Sequence, residues 1–375
     1  MAVTHHIYLI PGFFGFLNFG ELVYFSHVRE FLERCLTERG LEVEVHRLAA
    51  PPTASLRRRA SALCELIART ESDGEPIHLV GHSTGGLDAR LFTTPRADLG
   101  ITSLNQLASH VLSVVTVATP HRGTPLASLF TSILGKSWLK LLSVATVFML
   151  REGRIPAAIL ARIGAAVARL SVQPGPGVAI LDHLCDELID KLPGGERGAM
   201  HDFFHQVGKD QALLPQLAPE AMDLFNVLAT DRPGVRYGCV VTRAPAAKVS
   251  KHWSLGFRVT KQVTYSLYSF LATQVEGFPE EYWPRFSPEL TQILRRAYGD
   301  LPGAGDGDGI VPTWSQIWGD VIHACTADHL DVIGHFDGES LEPPHHDWIS
   351  SGSEFSLREF NRLWIDVADF IASAP

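Results

Sequence analysis

Long apolar runs are missing from this chain. The best candidate, Leu141 to Leu150, is ten residues between Lys140 and Arg151, half of the roughly 20 that span a bilayer. No transmembrane segment is expected. Positive charge is also in short supply: the formal net charge is −9. Such a chain repels phosphate backbones and anionic headgroups, which argues against a nucleic-acid partner; solubility alone accounts for the sign. Cysteine is sparse. Cys35, Cys64, Cys185, Cys239 and Cys325 are odd in number and scattered, with neither a CxxC pair nor metal-ligand spacing, and they read as buried or inert thiols. Nothing at the N-terminus resembles a leader, because Met1 to His6 runs straight into an apolar strand with no basic segment, long apolar stretch or small-residue cleavage site. That points to a cytoplasmic location.

Apolar residues make up 46% of 375, enough for a large core, and the expectation is one domain over 1–375 that carries an insertion. Ile7 to Ile10 reads as a short buried strand stopped by Pro11-Gly12. Val23 to Arg39 reads as a helix closed by Gly40. Leu41 to Leu48 alternates apolar and polar residues and reads as a strand. Ser55 to Thr70 is a helix with arginines on its outer side. Pro76 to Val80, Val111 to Val117, Val235 to Val241 and Val321 to Cys325 are short β-branched or apolar runs of buried parallel strands. Phe355 to Ala374 is an amphipathic helix with Phe360, Leu363, Val367 and Phe370 on one side. Strands alternating with helices predict a mostly parallel α/β sheet.

The stretch from about Thr124 to Gly234 breaks this rhythm. Trp138 to Leu150 is apolar on nearly every side, and Ile159, Ile163 and Val167 share a face opposite Arg162 and Arg169. A helix apolar all round needs cover from protein, substrate or lipid. An extra helical layer packed on the sheet satisfies that. So does a lid over an acyl-binding cleft, and long insertions at a sheet edge are often functional.

Gly81-His82-Ser83-Thr84-Gly85 matches G-x-S-x-G. A serine on a tight, strained strand-to-helix turn needs neighbours at minus two and plus two that are nearly free of side chain. The helix N-terminus then sets free N–H groups and a positive dipole beside a developing oxyanion. A glycine-rich turn with an incidental serine is the plain alternative. The apolar strand before and the helix after favour the nucleophile.

Serine needs a base, itself oriented by an acid, in the chain order serine, acid, histidine. Asp308-Gly309-Ile310-Val311-Pro312 puts an acid at a tight turn after a presumed strand, with Asp306 its rival two residues upstream. Asp328-His329-Leu330-Asp331 puts a histidine on a loop before the final helix. Of 17 histidines, His335, His345 and His346 compete with His329 on later loops, whereas His323 lies inside a strand.

Together these runs resemble the bacterial triacylglycerol lipases, both the Burkholderia/Pseudomonas type and the Bacillus/Staphylococcus type. Pro11 to Gly15 looks like their first oxyanion loop, Gly81 to Gly86 their elbow, and Ala118 to Thr124 their post-strand loop. Leu217 to Met222, continuing to Phe225-Asn226, looks like the helix start after their lid. Asp308 to Val311 and Asp328 to Asp331 look like their acid and histidine loops. The region from Leu126 to Leu214 matches nothing in the family. The resemblance implies an α/β-hydrolase fold, with Ser83 as nucleophile, Asp308 as acid, His329 as base, and the backbone N–H groups of Phe13 and Thr84 as oxyanion donors. Pro11 departs from the family's histidine, which loses a supporting hydrogen bond but no donor. The cysteine pair of one subfamily and the zinc loops of another have no counterpart. His201 and His205 stand at i, i+4 beside Asp202 but lack a further ligand and read as surface residues. A structural calcium of the family sits just past the histidine. Asp331 matches one of its ligands and Asp337 lies one residue off another, although solvated loop carboxylates would look the same.

The function expected is hydrolysis of carboxylic esters with apolar acyl chains, by way of an acyl-enzyme and with no cofactor. Phe13, Phe14 and Phe16 beside the site favour a hydrophobic ester, with transient contact at a lipid interface. An acyltransferase using the same acyl-enzyme remains open. A catalytically silent binding protein of this fold would have lost one of the three residues, and none is lost here.

Overall fold

The computed structural model describes residues 3–13, 24–71, 74–131, 177–192, 194–247, 259–338, 347 and 349–374. Between 132 and 176 it describes only positions 137, 140, 141, 144, 158, 159, 162, 163 and 165. Six strands form one sheet: β1 (Thr4–Ile10), β2 (Glu42–Arg47), β3 (Ile77–His82), β4 (Val111–Val117), β5 (Arg236–Thr242) and β6 (Asp320–Cys325). Their order is β2-β1-β3-β4-β5-β6, and every pairing is parallel.

Parallel strands need crossovers, and here these are helices on both faces. Successive side chains of a strand point to opposite faces. Ile7 and Leu9 accordingly join a core with helix α1 (Val28–Glu38) and the C-terminal helix Leu357–Ala372, whereas Tyr8 and Ile10 join a second core. Helix α2 (Leu56–Thr70) and helix α3 (Thr84–Thr93) pack on that second side. Ser55 caps α2 by accepting from the Arg58 N–H at 3.3 Å, satisfying one of the first-turn donors.

Helix α1 begins five residues later than its apolar pattern suggests. The Ser26 N–H donates to Ile333 O at 2.9 Å and His27 takes φ 59°, so the chain is pinned across the fold before it can coil. Asp308, in turn, does not follow a strand. The element before it is the helix Pro288–Tyr298, and the turn is closed by an isolated bridge between Gly307 and Pro312.

Everything described between β4 and β5 is helical or connecting, including Leu126–Thr131, Gly177–Asp190, Gly194–Lys209, Leu213–Gln216 and Pro219–Leu228. Most of Trp138 to Leu150 lies outside the described residues, as do Val167 and Arg169. Leu141, Val144, Ile159 and Ile163, which are described, are buried in one core with Phe130, Leu181 and Leu214. All five cysteines are buried and unpaired. No described helix is long and apolar enough to cross a membrane.

Candidate active site

Ser83 sits between the end of β3 and the first residue of α3 with φ 54° and ψ −129°, a conformation that costs a non-glycine residue about 1–3 kcal/mol. Close packing imposes it. A Cβ at Gly85 would collide with the Ile10 carbonyl oxygen, and one at Gly81 with the backbone of Gly85 and Gly86. A Cβ at Gly12 would lie 2.5 Å from Ser83 Cβ. The Ser83 N–H is held by Val117 O at 2.8 Å. The serine is therefore fixed from β1, β4 and its own helix, with Oγ at the C-terminal edge of the sheet.

Asp308 is fully buried and all its acceptor directions are used. Oδ1 accepts from the N–H groups of Ile310 and Val311 at 2.9 and 2.8 Å. Oδ2 accepts from Thr242 Oγ1 at 3.0 Å and Gln316 Nε2 at 3.3 Å, and lies 2.8 Å from His329 Nδ1. That arrangement fixes the His329 tautomer with its proton on Nδ1, leaving Nε2 as a base. The His329 N–H also returns to Asp308 O at 3.1 Å. The rivals are engaged elsewhere. Asp306 pairs with Arg243 at 3.1 Å, and Asp328 accepts from the Leu330 and Asp331 N–H groups and from Ser351. His323 meets Asp366, and His335 Nε2 lies 2.9 Å from Tyr24 O. His345 and His346 lie outside the described residues.

Ser83, Thr84, Phe13 and His329 line one cleft of about 530 Å³, counting its open mouth, and the rest of its wall is almost wholly apolar. Leu126, Ala127, Phe130, Leu214 and Leu217, all from the segment between β4 and β5, supply that wall with Ile310 and Val311. Phe14, Phe16 and Trp138 lie outside the described residues. Thr84 opens α3, so its N–H belongs to the first turn, which has no carbonyl four residues back. No hydrogen bond joins Ser83 to His329 in this conformation, a link that in many hydrolytic sites tightens only when substrate is bound.

Two residues without an assigned role from sequence complete the surroundings. Tyr24 Oη accepts from the Gly12 N–H at 2.9 Å and lies 2.6 Å from His82 Nδ1, while His82 Nε2 lies 2.9 Å from His329 O. Burial, reinforced by His329, pushes the His82 imidazole well below its ordinary pKa. The ring is neutral, so Nε2–H donates to the carbonyl and Tyr24 donates to Nδ1. Arg59, expected on the outer side of α2, is instead fully buried and supports the same loop from below, meeting Asp88 at 2.7 Å and donating to Pro11 O at 2.7 Å. On the far side, Arg90 stacks 3.4 Å from the Trp318 ring and donates to Asn226 Oδ1, and Asn226 donates to His121 O. Those bonds join the post-strand loop to the helix Pro219–Leu228.

The carboxylates past His329 separate into two groups. Asp331 is buried, accepting from the Asp328 N–H at 2.8 Å and Ser353 Oγ at 2.7 Å. Burial, with Asp328 and Asp347 adding repulsion, pushes its pKa well up. Burial, with repulsion from Asp328 and Asp337, likewise pushes Asp347 well up, and its Oδ1 is a buried acceptor with no partner. Asp337 is turned to Lys261 Nζ at 2.6 Å on the surface.

No protein-family model and no curated protein sequence matches the chain. Its structure is similar to that of EstA from Clostridium botulinum, at 16% identity and a TM-score of 0.50, over 98% of this chain and 87% of that one. Staphylococcus hyicus lipase matches at 16% identity and 0.50, over 98% of this chain and 95% of that one. Lipase 1 from Pelosinus fermentans matches at 15% identity and 0.50, over the whole of both chains. At such identities the likeness is one of architecture. The parallel six-stranded sheet with helices on both faces, in a chain that aligns along nearly its whole length with EstA and these two lipases, gives this chain the α/β-hydrolase fold.

Proposed function

We propose that the protein is a carboxylic ester hydrolase acting on esters with an apolar acyl chain. The observation that carries this reading is the 2.8 Å pair of Asp308 with His329, opening on the same apolar cleft as the strained Ser83. In the proposed reaction Ser83 Oγ attacks the ester carbonyl while His329 Nε2 takes its proton. Asp308 holds the imidazole tautomer and stabilises the imidazolium. The N–H groups of Phe13 and Thr84 receive the oxyanion, where one such donor is commonly worth about 10²–10³ in rate. Collapse of the tetrahedral species expels the alcohol, which takes the proton from His329. Water, deprotonated by His329, then attacks the acyl-enzyme, and Ser83 leaves as the proton returns to it.

This chemistry needs no cofactor. A calcium ion at Asp331 and Asp347 belongs to the proposal as a structural element, supplying positive charge to the buried Asp331 and to the unpartnered Oδ1 of Asp347. Transient contact with a lipid surface fits the helix Pro219–Leu228, which starts beside the cleft residue Leu217 and exposes Leu224, Val227 and Leu228. The mechanism is tested with Ser83→Ala, which should lower kcat on p-nitrophenyl esters by on the order of 10⁴ with an unchanged melting curve. A fluorophosphonate should label Ser83 alone; labelling at another serine would overturn the assignment.

A further inference from the structure

A second cluster of chemically capable side chains lies at the opposite end of the strands. From Ile77, which pairs with His6, to Ser83 is about 20 Å along β3 at the usual rise per residue. In the β1–β2 register His6 pairs with Glu44 and Tyr8 with His46, and residues two apart on a strand share a face. His6, Glu44 and His46 are therefore neighbours on one side of the sheet edge. His6 Nδ1 lies 2.9 Å from His46 Nε2. Glu44 Oε2 is 3.9 Å from His6 Nδ1, and Glu44 Oε1 is 3.9 Å from His46 Nε2. Behind them, Glu75 Oε2 is 2.7 Å from His6 Nε2. Among the described residues this is the one group of three or more His, Cys, Asp or Glu whose donor atoms converge closely enough for a metal ion.

We propose that His6, His46 and Glu44 form a zinc site that ties the edge strand β2 to β1, with Glu75 orienting His6. Two imidazole nitrogens and a carboxylate oxygen suit zinc and not calcium, which takes six to eight oxygens. Tetrahedral bonds of about 2.0–2.1 Å set two nitrogens about 3.3 Å apart, so admitting the ion opens the His6–His46 contact by only a few tenths of an ångström. In the metal-free protein a proton fills that gap. His6 donates from Nε2 to Glu75, which leaves Nδ1 as an acceptor for His46 Nε2–H. On zinc binding both nitrogens turn their lone pairs to the ion, and the His46 proton moves to Nδ1, so both rings stay neutral. A carboxylate behind a ligating histidine is the arrangement that fixes tautomer and ring orientation at zinc sites. The ring is held further by packing: His6 is 2% exposed, and His46 stacks on Tyr8 at 4.8 Å between centroids. Glu44 faces solvent at 60% exposure, which leaves an approach for the ion and room for water as the fourth ligand.

The test uses the full chain freed of metal and titrated calorimetrically with zinc chloride, with magnesium chloride as control. One zinc per chain and no magnesium should bind, with a rise in melting temperature of about 3 °C at 100-fold excess over Kd. His46→Ala should abolish both effects. Glu44→Gln alters an exposed side chain that leaves the fold intact, and should weaken zinc binding at least tenfold. Glu75→Gln should weaken it about tenfold while retaining one site. No zinc binding by the wild-type chain, or binding unaltered in His46→Ala and Glu44→Gln, would overturn the site. These readouts are independent of ester hydrolysis, so the two proposals fail separately.

Discussion

The Tyr24 hydroxyl lies 2.6 Å from His82 Nδ1, and through this bond the loop at Gly12 is tied to the loop of the proposed base. Tyr24 also receives the Gly12 N–H, and His82 donates onward to the carbonyl of His329. The residue between Gly81 and Ser83 in the elbow thus spans from the loop before Phe13 to His329. His82 is fully buried and acts as a positioning residue, whereas the Tyr24 ring also lines the cleft.

Tyr24→Phe keeps the ring and removes the hydroxyl, leaving the Gly12 N–H and His82 Nδ1 without their partner. The expected result is a kcat lowered about tenfold with KM nearly unchanged, equivalent to one buried hydrogen bond acting in the transition state. Fluorophosphonate labelling of Ser83 should slow in proportion. Unchanged kcat with a lowered melting temperature would reduce the link to stability alone.

Legibility in the sequence followed the range of the force concerned. The elbow is largely local: Gly81 is needed because its own turn folds back on Gly85 and Gly86, and G-x-S-x-G between an apolar strand and a helix points to Ser83, whereas the approach of Gly85 to Ile10 depends on the neighbouring strand. The strands are legible because β-branched runs such as Val111 to Val117 fit buried parallel strands with few alternatives. Tyr24 is different. It stands 58 residues from His82, in an aromatic stretch that reads as core. Gln316 and Thr242, which complete the acceptor set of Asp308, come from the end of β5 and a short turn. Their meeting depends on strand order, which sequence periodicity does not encode. The late start of α1 has the same origin, since Ser26 is held by Ile333.

The buried His78, stacked against half-buried His5, gives a pH signature. Burial, with a lesser push from His5, lowers the His78 pKa to about 3. The unfolded chain takes up this proton near 6.5, before the folded chain does. The stabilisation is full above about pH 6.5 and is lost as pH falls toward about 3, by about 1.4 kcal/mol per unit. Buried carboxylates such as Asp88, raised to about 6 by burial against the pull of Arg59, act in the opposite sense. The comparison is therefore between wild type and His78→Gln, in which those contributions cancel. Urea unfolding between pH 6 and 4 should show wild type losing ground to the variant by that slope. Parallel curves would mean that His78 is protonated in the fold.

Calcium at Asp331 and Asp347 predicts a chelator effect. EDTA should lower the melting temperature by several degrees and excess calcium should restore it, because a ligand bound only to the folded state stabilises it by mass action. Asp347→Asn should abolish the calcium response. Asp337→Asn should keep it, since that carboxylate is engaged by Lys261. Identical melting curves with and without EDTA would remove the ion from the proposal.

The last prediction concerns the cleft wall. Ala127 lines the cavity on the helix Leu126–Thr131, facing the same space as Ser83, Phe130 and Leu214. If this wall receives the acyl chain, Ala127→Leu fills part of the space with three carbons. Each displaced methylene of substrate is worth about 1–3 kcal/mol of discrimination in an apolar pocket. Octanoate esters should therefore lose at least tenfold in kcat/KM while acetate esters, which need only the region beside Ser83, change less than threefold. Overpacking alone can cost about 1–3 kcal/mol of stability, so the melting temperature is followed in parallel. A general loss of fold would depress both substrates equally, whereas a blocked acyl site depresses only the long one. Equal losses on octanoate and acetate in a variant that melts like wild type would show that the acyl chain lies elsewhere.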